Sequence, residues 1–327
     1  MNINAPIARA WHGILIAVAL IGCHGALYAQ DSFPNRPVRL LQGYAAGGPV
    51  DLVSRILGDK LAEIWGKPVI VESRVGAVGA IAARDVARSA PDGYTLLVVA
   101  SNHVQTPFLT PNLPFDPLKD FTPIRQYADV PMILVVNPSL PVRSLAEFIS
   151  YAVAGKVTMA TSGTGSAPHL AAAQLAGRSN SEFLYIPYGG VAPGKVAVMS
   201  GEVNAMFLAP PLAVPSVQDG KLRALATSGL TRWRDLPAVP TVAEAGYPGY
   251  EASVWIGVLG PAKMPPELVA KLDRDIRTAV QDPKVQARLV GAGYDSLDAG
   301  AARFQEILKE DYTKWGNIIS RFKIGAQ

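Results

Sequence analysis

Val38-Arg-Leu-Leu-Gln42, Gly43-Tyr-Ala-Ala-Gly-Gly48 and the run from Pro49 to Trp65 follow one another without a break, and each has a different pattern. The first is a short apolar run with the look of a strand. The second is a glycine loop. The third repeats apolar residues at Val53, Ile56, Leu57, Leu61 and Ile64, the spacing of one face of a helix. The order strand, glycine loop, helix then recurs: Pro68 to Glu72 reads as a strand, Gly76 to Gly79 as a loop and Ala80 to Ser89 as a helix, before a Pro91-Asp-Gly93 turn and a strand over Tyr94 to Ala100. Alternation of this kind predicts a parallel sheet with helices on its faces, an α/β fold.

A second set of the same elements starts at the strand Pro131 to Asn137, which is expected to cross into another lobe. There Lys156 to Thr161 leads into Ser162-Gly-Thr-Gly-Ser166 and a helix from Ala167, and Phe183 to Ile186 leads into Pro187-Tyr-Gly-Gly190 and a helix through Met199. Strands follow at Asn204 to Leu208 and at Leu222 to Thr227, the latter read as the segment that carries the chain back. Ala252 to Leu259 adds a strand to the first lobe, and helices over Pro266 to Val280 and Ala301 to Phe322 close the chain. Two crossings give discontinuous domains, 30–130 plus 228–327 for lobe 1 and 131–227 for lobe 2, with a hinged cleft between them.

The 327 residues are 49% hydrophobic and 17% charged, which suits two globular lobes and not a disordered chain. Residues 1–29 have the layout of a secretory signal peptide: Arg9 and His12, the apolar run Ile14 to Ile21, then small residues up to Ala29. Leu20-Ile21-Gly22-Cys23 is a competing lipoprotein site, so the mature chain is expected in the periplasm, free or anchored at Cys23. Cys23 is the only cysteine. The mature chain therefore has no internal disulfide, cysteine-ligated metal or cysteine nucleophile. The formal net charge of +4 is spread without basic runs, a mild preference for anions that does not suggest nucleic acid. Histidines at 12, 24, 103 and 169 have no metal-ligand spacing, and neither a metal nor a cofactor is expected.

The glycine loops carry the chemistry. Pro49 suits a first helical turn, whose free N–H groups and dipole favour an anion. Asp51 in that turn complements the dipole, or positions water or a donor group of a ligand. Ser162 to Ser166 repeats the arrangement, with Ser166 as N-cap. His169 lies three residues from Ser166 with no third group to orient it, so a neutral capping histidine is favoured over a hydrolase pair. Pro168 breaks a dinucleotide fingerprint. Val196 likewise stands where the phosphate loop suggested by Gly189 to Lys195 needs Ser or Thr. Tyr44, Tyr188, Phe207 and Trp255 sit where they could line a cleft or the core.

Several blocks in order carry a family resemblance: Ala46-Gly-Gly-Pro-Val-Asp51, Pro91-Asp-Gly-Tyr-Thr-Leu-Leu97, Asp120-Phe-Thr-Pro-Ile124, Ser162-Gly-Thr-Gly-Ser-Ala-Pro-His-Leu170, Ile186-Pro-Tyr-Gly189 and Leu236-Pro-Ala-Val-Pro-Thr-Val-Ala-Glu-Ala-Gly246. With these the chain resembles the TctC or Bug family of periplasmic solute receptors. That resemblance implies a two-lobed type II periplasmic-binding fold, a non-enzymatic role, and capture of a small carboxylate by backbone amides and water for a tripartite tricarboxylate transporter. Its membrane subunits would be the partners, or a sensor kinase in a signalling variant of the role; the receptor itself is expected to be a monomer. The ligand-facing candidates are Tyr44, Ala46, Gly47, Gly48, Asp51 and Ser101 from lobe 1, and Ser162, Thr164, Gly165, Ser166, His169, Tyr188, Gly189 and Phe207 from lobe 2. Many relatives carry Asp at the position of Leu208 and Lys at that of Gly189. Loss of that acid argues against an amino-acid ligand.

Overall fold

The computed structural model describes residues 33–325 apart from 77, 78, 111 and 156. The export segment, with Cys23 and Ala29, lies outside the described residues. Two sheets organise the chain. The first has the order β11-β4-β10-β3-β1-β2 and the second β7-β6-β8-β5-β9. In the first, β1 (Val38–Gln42), β2 (Val69–Ser73) and β3 (Thr95–Ala100) run parallel. Helix α1 (Pro49–Trp65) follows β1, α2 (Ala80–Ala87) follows β2, and α3 (Asn102–Leu109) follows β3.

The all-parallel expectation fails beyond β3. β4 (Phe121–Val130) and β10 (Val254–Pro261) pair antiparallel, and β10 also runs antiparallel to β3. The chain leaves this sheet along β4 and comes home along β10, so the two must point in opposite senses. The edge strand β11 (Asp295–Gly300) is antiparallel to β4.

The second sheet takes β5 (Ile133–Val136), β6 (Val157–Thr161), β7 (Phe183–Pro187), β8 (Ala205–Leu208) and β9 (Arg223–Thr227). Its helices are α4 (Leu145–Ala154), α5 (Ala167–Ser179), α6 (Val191–Ser200) and α7 (Pro210–Gln218). β9 pairs with β5, so the strand read as a return to the first lobe stays in the second sheet. The return runs instead through the segment between Thr227 and Val254. Helices α8 (Pro266–Gln281), α9 (Pro283–Gly291) and α10 (Ala301–Arg321) complete the first lobe.

Apolar periodicity explains how these pieces pack. Val53, Ile56, Leu57 and Leu61 of α1 are 0–1% exposed against β1 and β3 residues such as Leu40 and Leu96, whereas Ile64 in the last turn stays 37% exposed. Burying each such side chain contributes about 1.5–3 kcal/mol. Where the two crossings meet, Ser228 is fully buried and uses every polar group it has. Its N–H donates to Met132 O at 2.7 Å and its carbonyl accepts from Ala252 N–H at 3.0 Å. Its hydroxyl accepts from Met132 N–H at 2.8 Å and donates to Ala252 O at 3.0 Å. The outgoing and returning segments are tied through one residue.

Candidate functional site

The first glycine loop is held from behind. Gln42, fully buried at the end of β1, accepts the Tyr44 N–H at 2.7 Å and donates to Asp51 Oδ1 at 3.1 Å and to Ser73 Oγ at 2.5 Å. Asp51 is 2% exposed. Its Oδ2 accepts from Gly47 N–H at 2.9 Å and Arg55 Nε at 2.8 Å, and Arg55 Nη2 reaches Oδ1 at 3.1 Å. The Arg55 guanidinium, followed by the Gly47 N–H, outweighs burial and holds this carboxyl below its ordinary range. Each oxygen thus carries two donors from its own chain, and Asp51 fixes the loop where a ligand-facing carboxylate was expected.

The Gly47 and Gly48 amides are also engaged, Gly48 N–H with Ala45 O at 3.0 Å. Gly47 has φ +76°, a left-handed conformation open to glycine at little cost. The first intrahelical bond of α1 runs from Leu52 N–H to Gly48 O, so the amides left over in the first turn are those of Val50 and Asp51. Ala46 is exposed and Ser101 is buried at the N-cap position of α3. The Tyr44 hydroxyl accepts from Ala100 N–H at 3.0 Å and donates to Asn102 Oδ1 at 2.5 Å, which ties this loop to α3; burial raises its pKa.

The second loop repeats the scheme with different chemistry. Gly165 N–H donates to His169 Nδ1 at 3.1 Å, and Ser166 N–H to Gly163 O at 3.2 Å. Burial pushes the His169 pKa down to about 4, so near neutral pH Nδ1 is a lone-pair acceptor. The ring lies 4.4 Å from that of Tyr185. This is the neutral capping histidine the sequence suggested. α5 begins with a bond from Leu170 N–H to Ser166 O, leaving the Ala167 and His169 amides of its first turn. Ser166 occupies the N-cap position without capping: its hydroxyl makes no side-chain cap bond, is buried, and has no partner.

Ser166 itself lies in the wall of a cavity of about 430 Å³. One side is α3, with Asn102, Thr106 and Leu109, and Thr110 just after it; the other is the loop residues Thr164, Gly165 and Ser166, with Gly325 also lining it. Among the described residues no lining side chain is charged. Gly165 has φ +74°, and a Cβ there would stand 2.7 Å from Leu109 Cδ1, so the two lobes touch at this point. A pocket of about 20 Å³ beside it is lined by Gly43, Tyr44, Gly79 and Asn102 among others.

Of the sequence-derived candidates, the cavity brings together Thr164, Gly165 and Ser166, and Tyr44 joins through Asn102. Ser162 is half-buried at the end of β6. The Tyr188 hydroxyl is turned to the surface and donates to Glu202 at 2.9 Å, and Gly189 is exposed. Phe207 and Leu208 are fully buried in two core clusters, and Trp255 donates to Asp311 at 2.7 Å from another buried site. The alternating strand β8 sends both Phe207 and Leu208 into packed helices, so neither faces open space and Leu208 gives no argument about an ammonium group. The side chains of Asn102 and Thr106 on α3, and of Thr110 at its C-cap, were missed. The signal was present: a ligand binds beyond the carboxyl ends of parallel strands, and Asn102 lies two residues past the end of β3.

Two sheets joined by two crossings, with glycine-loop helix starts and a cavity between the lobes, define a two-lobed solute-binding protein of the type II periplasmic class. The family model "Tripartite tricarboxylate transporter family receptor" (TctC) matches residues 53–324, and the chain belongs to this family. It is a solute receptor and not an enzyme. BugT of Bordetella pertussis is 33% identical over 311 residues, covering 94% of each chain. The solved TctC solute-binding protein from Polaromonas, without ligand, has a TM-score of 0.82 and 26% identity, covering 89% of this chain and 100% of its own. Rpa4515 of R. palustris with adipate has a TM-score of 0.74 and 30% identity, covering 90% and 100%.

Proposed function

We propose that this receptor captures a small carboxylate in the cavity between α3 and the start of α5. The observation that carries the proposal is Ser166, a residue of the cavity wall at a helix N-terminus whose hydroxyl is buried and unpartnered. A buried unpaired hydroxyl costs about 1–3 kcal/mol, and a carboxylate oxygen would supply the acceptor it lacks. The Ala167 and His169 amides and the α5 dipole add to that attraction. With no charged side chain in the wall among the described residues, the anion is held by dipoles, hydroxyls and water. The first loop, Tyr44 to Gly48 with the Val50 and Asp51 amides, forms the approach from lobe 1. The adipate carried by Rpa4515 supports this ligand class.

The lobes in this reading are 30–130 plus 228–327 and 131–227, closing as a monomer that delivers its ligand to the membrane subunits of the transporter. The chain is exported to the periplasm and cut after Ala29, and the mass of the mature protein distinguishes this from lipidation at Cys23. Titration calorimetry with mono-, di- and tricarboxylates and amino acids tests the ligand class. Ser166→Ala should weaken carboxylate binding at least about tenfold, the loss of one charge-assisted hydrogen bond, without lowering stability. Undiminished binding in that variant, or stabilisation by amino acids alone, would sink the proposal.

A further inference from the structure

A second groove, of about 280 Å³, lies between α5 of the second lobe and α10 of the first. Lys314, Asn317 and Arg321 reach it from α10, at a spacing that puts them along one helix face, and Gln174, Gly177 and Arg178 from α5. Among the described residues no carboxylate lines it. Lys314 is already shared between Asp311 at 2.7 Å and Glu251 at 3.2 Å. The two arginines are not neutralised in this way. Arg178 donates to the carbonyls of Pro248 at 2.8 Å and Gly249 at 2.9 Å and pairs with no acid among the described residues. Arg321 has no acidic partner among them either. Its Nη1 lies 3.7 Å from where a Cβ on Gly177 would be, so the guanidinium leans from one lobe across the helix of the other.

Both arginines stand in the last turns of their helices, where complementing the dipole accounts for their charge. It does not account for Gln174. That side chain is 4% exposed, lines the groove, and its carboxamide oxygen has no partner. An unpaired buried acceptor calls for an O–H or N–H donor, while the guanidinium groups call for an anion. One ligand answers both.

We infer that the α5–α10 groove is a second binding site, for a small oxyanion that also carries a hydroxyl, the chemistry shared by hydrogen phosphate and hydroxycarboxylates. Held by Arg178 and Arg321 together, such an ion spans both lobes outside the main cavity. It stabilises their present arrangement, and reciprocity then requires it to change affinity in the cavity.

Calorimetry on the full mature chain tests this with inorganic phosphate and citrate, and with sulfate as an oxyanion that lacks the hydroxyl at neutral pH. Phosphate and citrate are expected to bind in the millimolar range, with sulfate several-fold weaker. Arg321→Ala, at an exposed position, should weaken both at least about tenfold. Gln174→Leu, which removes the orphaned oxygen, should abolish the preference for phosphate over sulfate and leave the fold intact. Ser166→Ala should leave phosphate binding unchanged, which separates this site from the cavity, and citrate that bound only in the cavity would be lost in that variant. Equal phosphate binding by wild type and Arg321→Ala, or no heat up to about 10 mM phosphate, overturns the inference.

Discussion

The two glycine loops share one backbone scheme and differ in the side chains that complete it. In each, the N–H of the glycine preceding the N-cap is taken up by the side chain four residues on: Gly47 by Asp51, Gly165 by His169. In lobe 1 that acceptor is a carboxylate, balanced by Arg55. In lobe 2 it is a neutral, buried ring. A negative charge beside a helix start opposes a second anion, and a neutral acceptor does not. The comparison therefore assigns the stronger anion hold to the second loop, where the unpartnered Ser166 hydroxyl also lies.

The glycines should break that symmetry most. Gly165→Ala combines left-handed strain of about 1–2 kcal/mol with a collision against Leu109, and overpacking adds about 1–3 kcal/mol. Gly47 has open space where its Cβ would go, so Gly47→Ala carries the strain alone. Denaturant unfolding and ligand titration should show the lobe 2 variant losing more stability and over tenfold more affinity. Equal losses would mean that the Leu109 contact yields freely.

A smaller effect concerns pH. Unfolded, His169 takes up a proton near pH 6.5; folded, only near pH 4, because burial disfavours the cation. The neutral ring's contribution is therefore full above 6.5 and declines as the pH falls toward 4, by at most about 1.4 kcal/mol per unit. His169→Asn keeps an acceptor near the Nδ1 position and cannot titrate. Its stability should fall less steeply between pH 6.5 and 4, while His103, also held at about 4 by burial, keeps its own slope in both proteins. Identical slopes would show that His169 titrates normally.

Affinity should be least disturbed in Asp51→Asn. It can retain the acceptor for Gly47 N–H, but its NH2 then faces the Gln42 and Arg55 donors that Oδ1 accepts, a stability loss of about 1–3 kcal/mol. Carboxylate affinity should hold or rise slightly; a fall of tenfold would return Asp51 to the ligand-facing role.

Much of the fold was legible because periodicity and glycine placement are local. The span of α1 and its cap read directly from Pro49 to Trp65, and β1, β6 and β8 fell within a residue of their observed limits. Helix α3 was not legible: it has eight residues, contains Pro107, and shows too few turns for an apolar face to declare itself. The direction of β4 and β10 depends on where the chain leaves and re-enters, which no local pattern records. In the site, Gly165 and Ser166 were readable as a helix start, but the acceptors that consume the Gly47 and Gly165 amides were not. Phe207, read as a candidate, is buried because a strand end beside a loop can still be covered on both faces.

The strand order has a consequence for how the molecule is made. β10 sits between β3 and β4, its neighbours on either side, yet it follows them by more than a hundred residues of chain. The second sheet draws all its strands from one continuous stretch. Closing short loops costs less entropy than closing long ones, so that sheet is expected to assemble first while the gap between β3 and β4 stays open. Pulsed hydrogen exchange should find β6 and β8 protected before β3. The first half to emerge during synthesis is then the last to finish, and the cavity exists only once its late strand has slid into place.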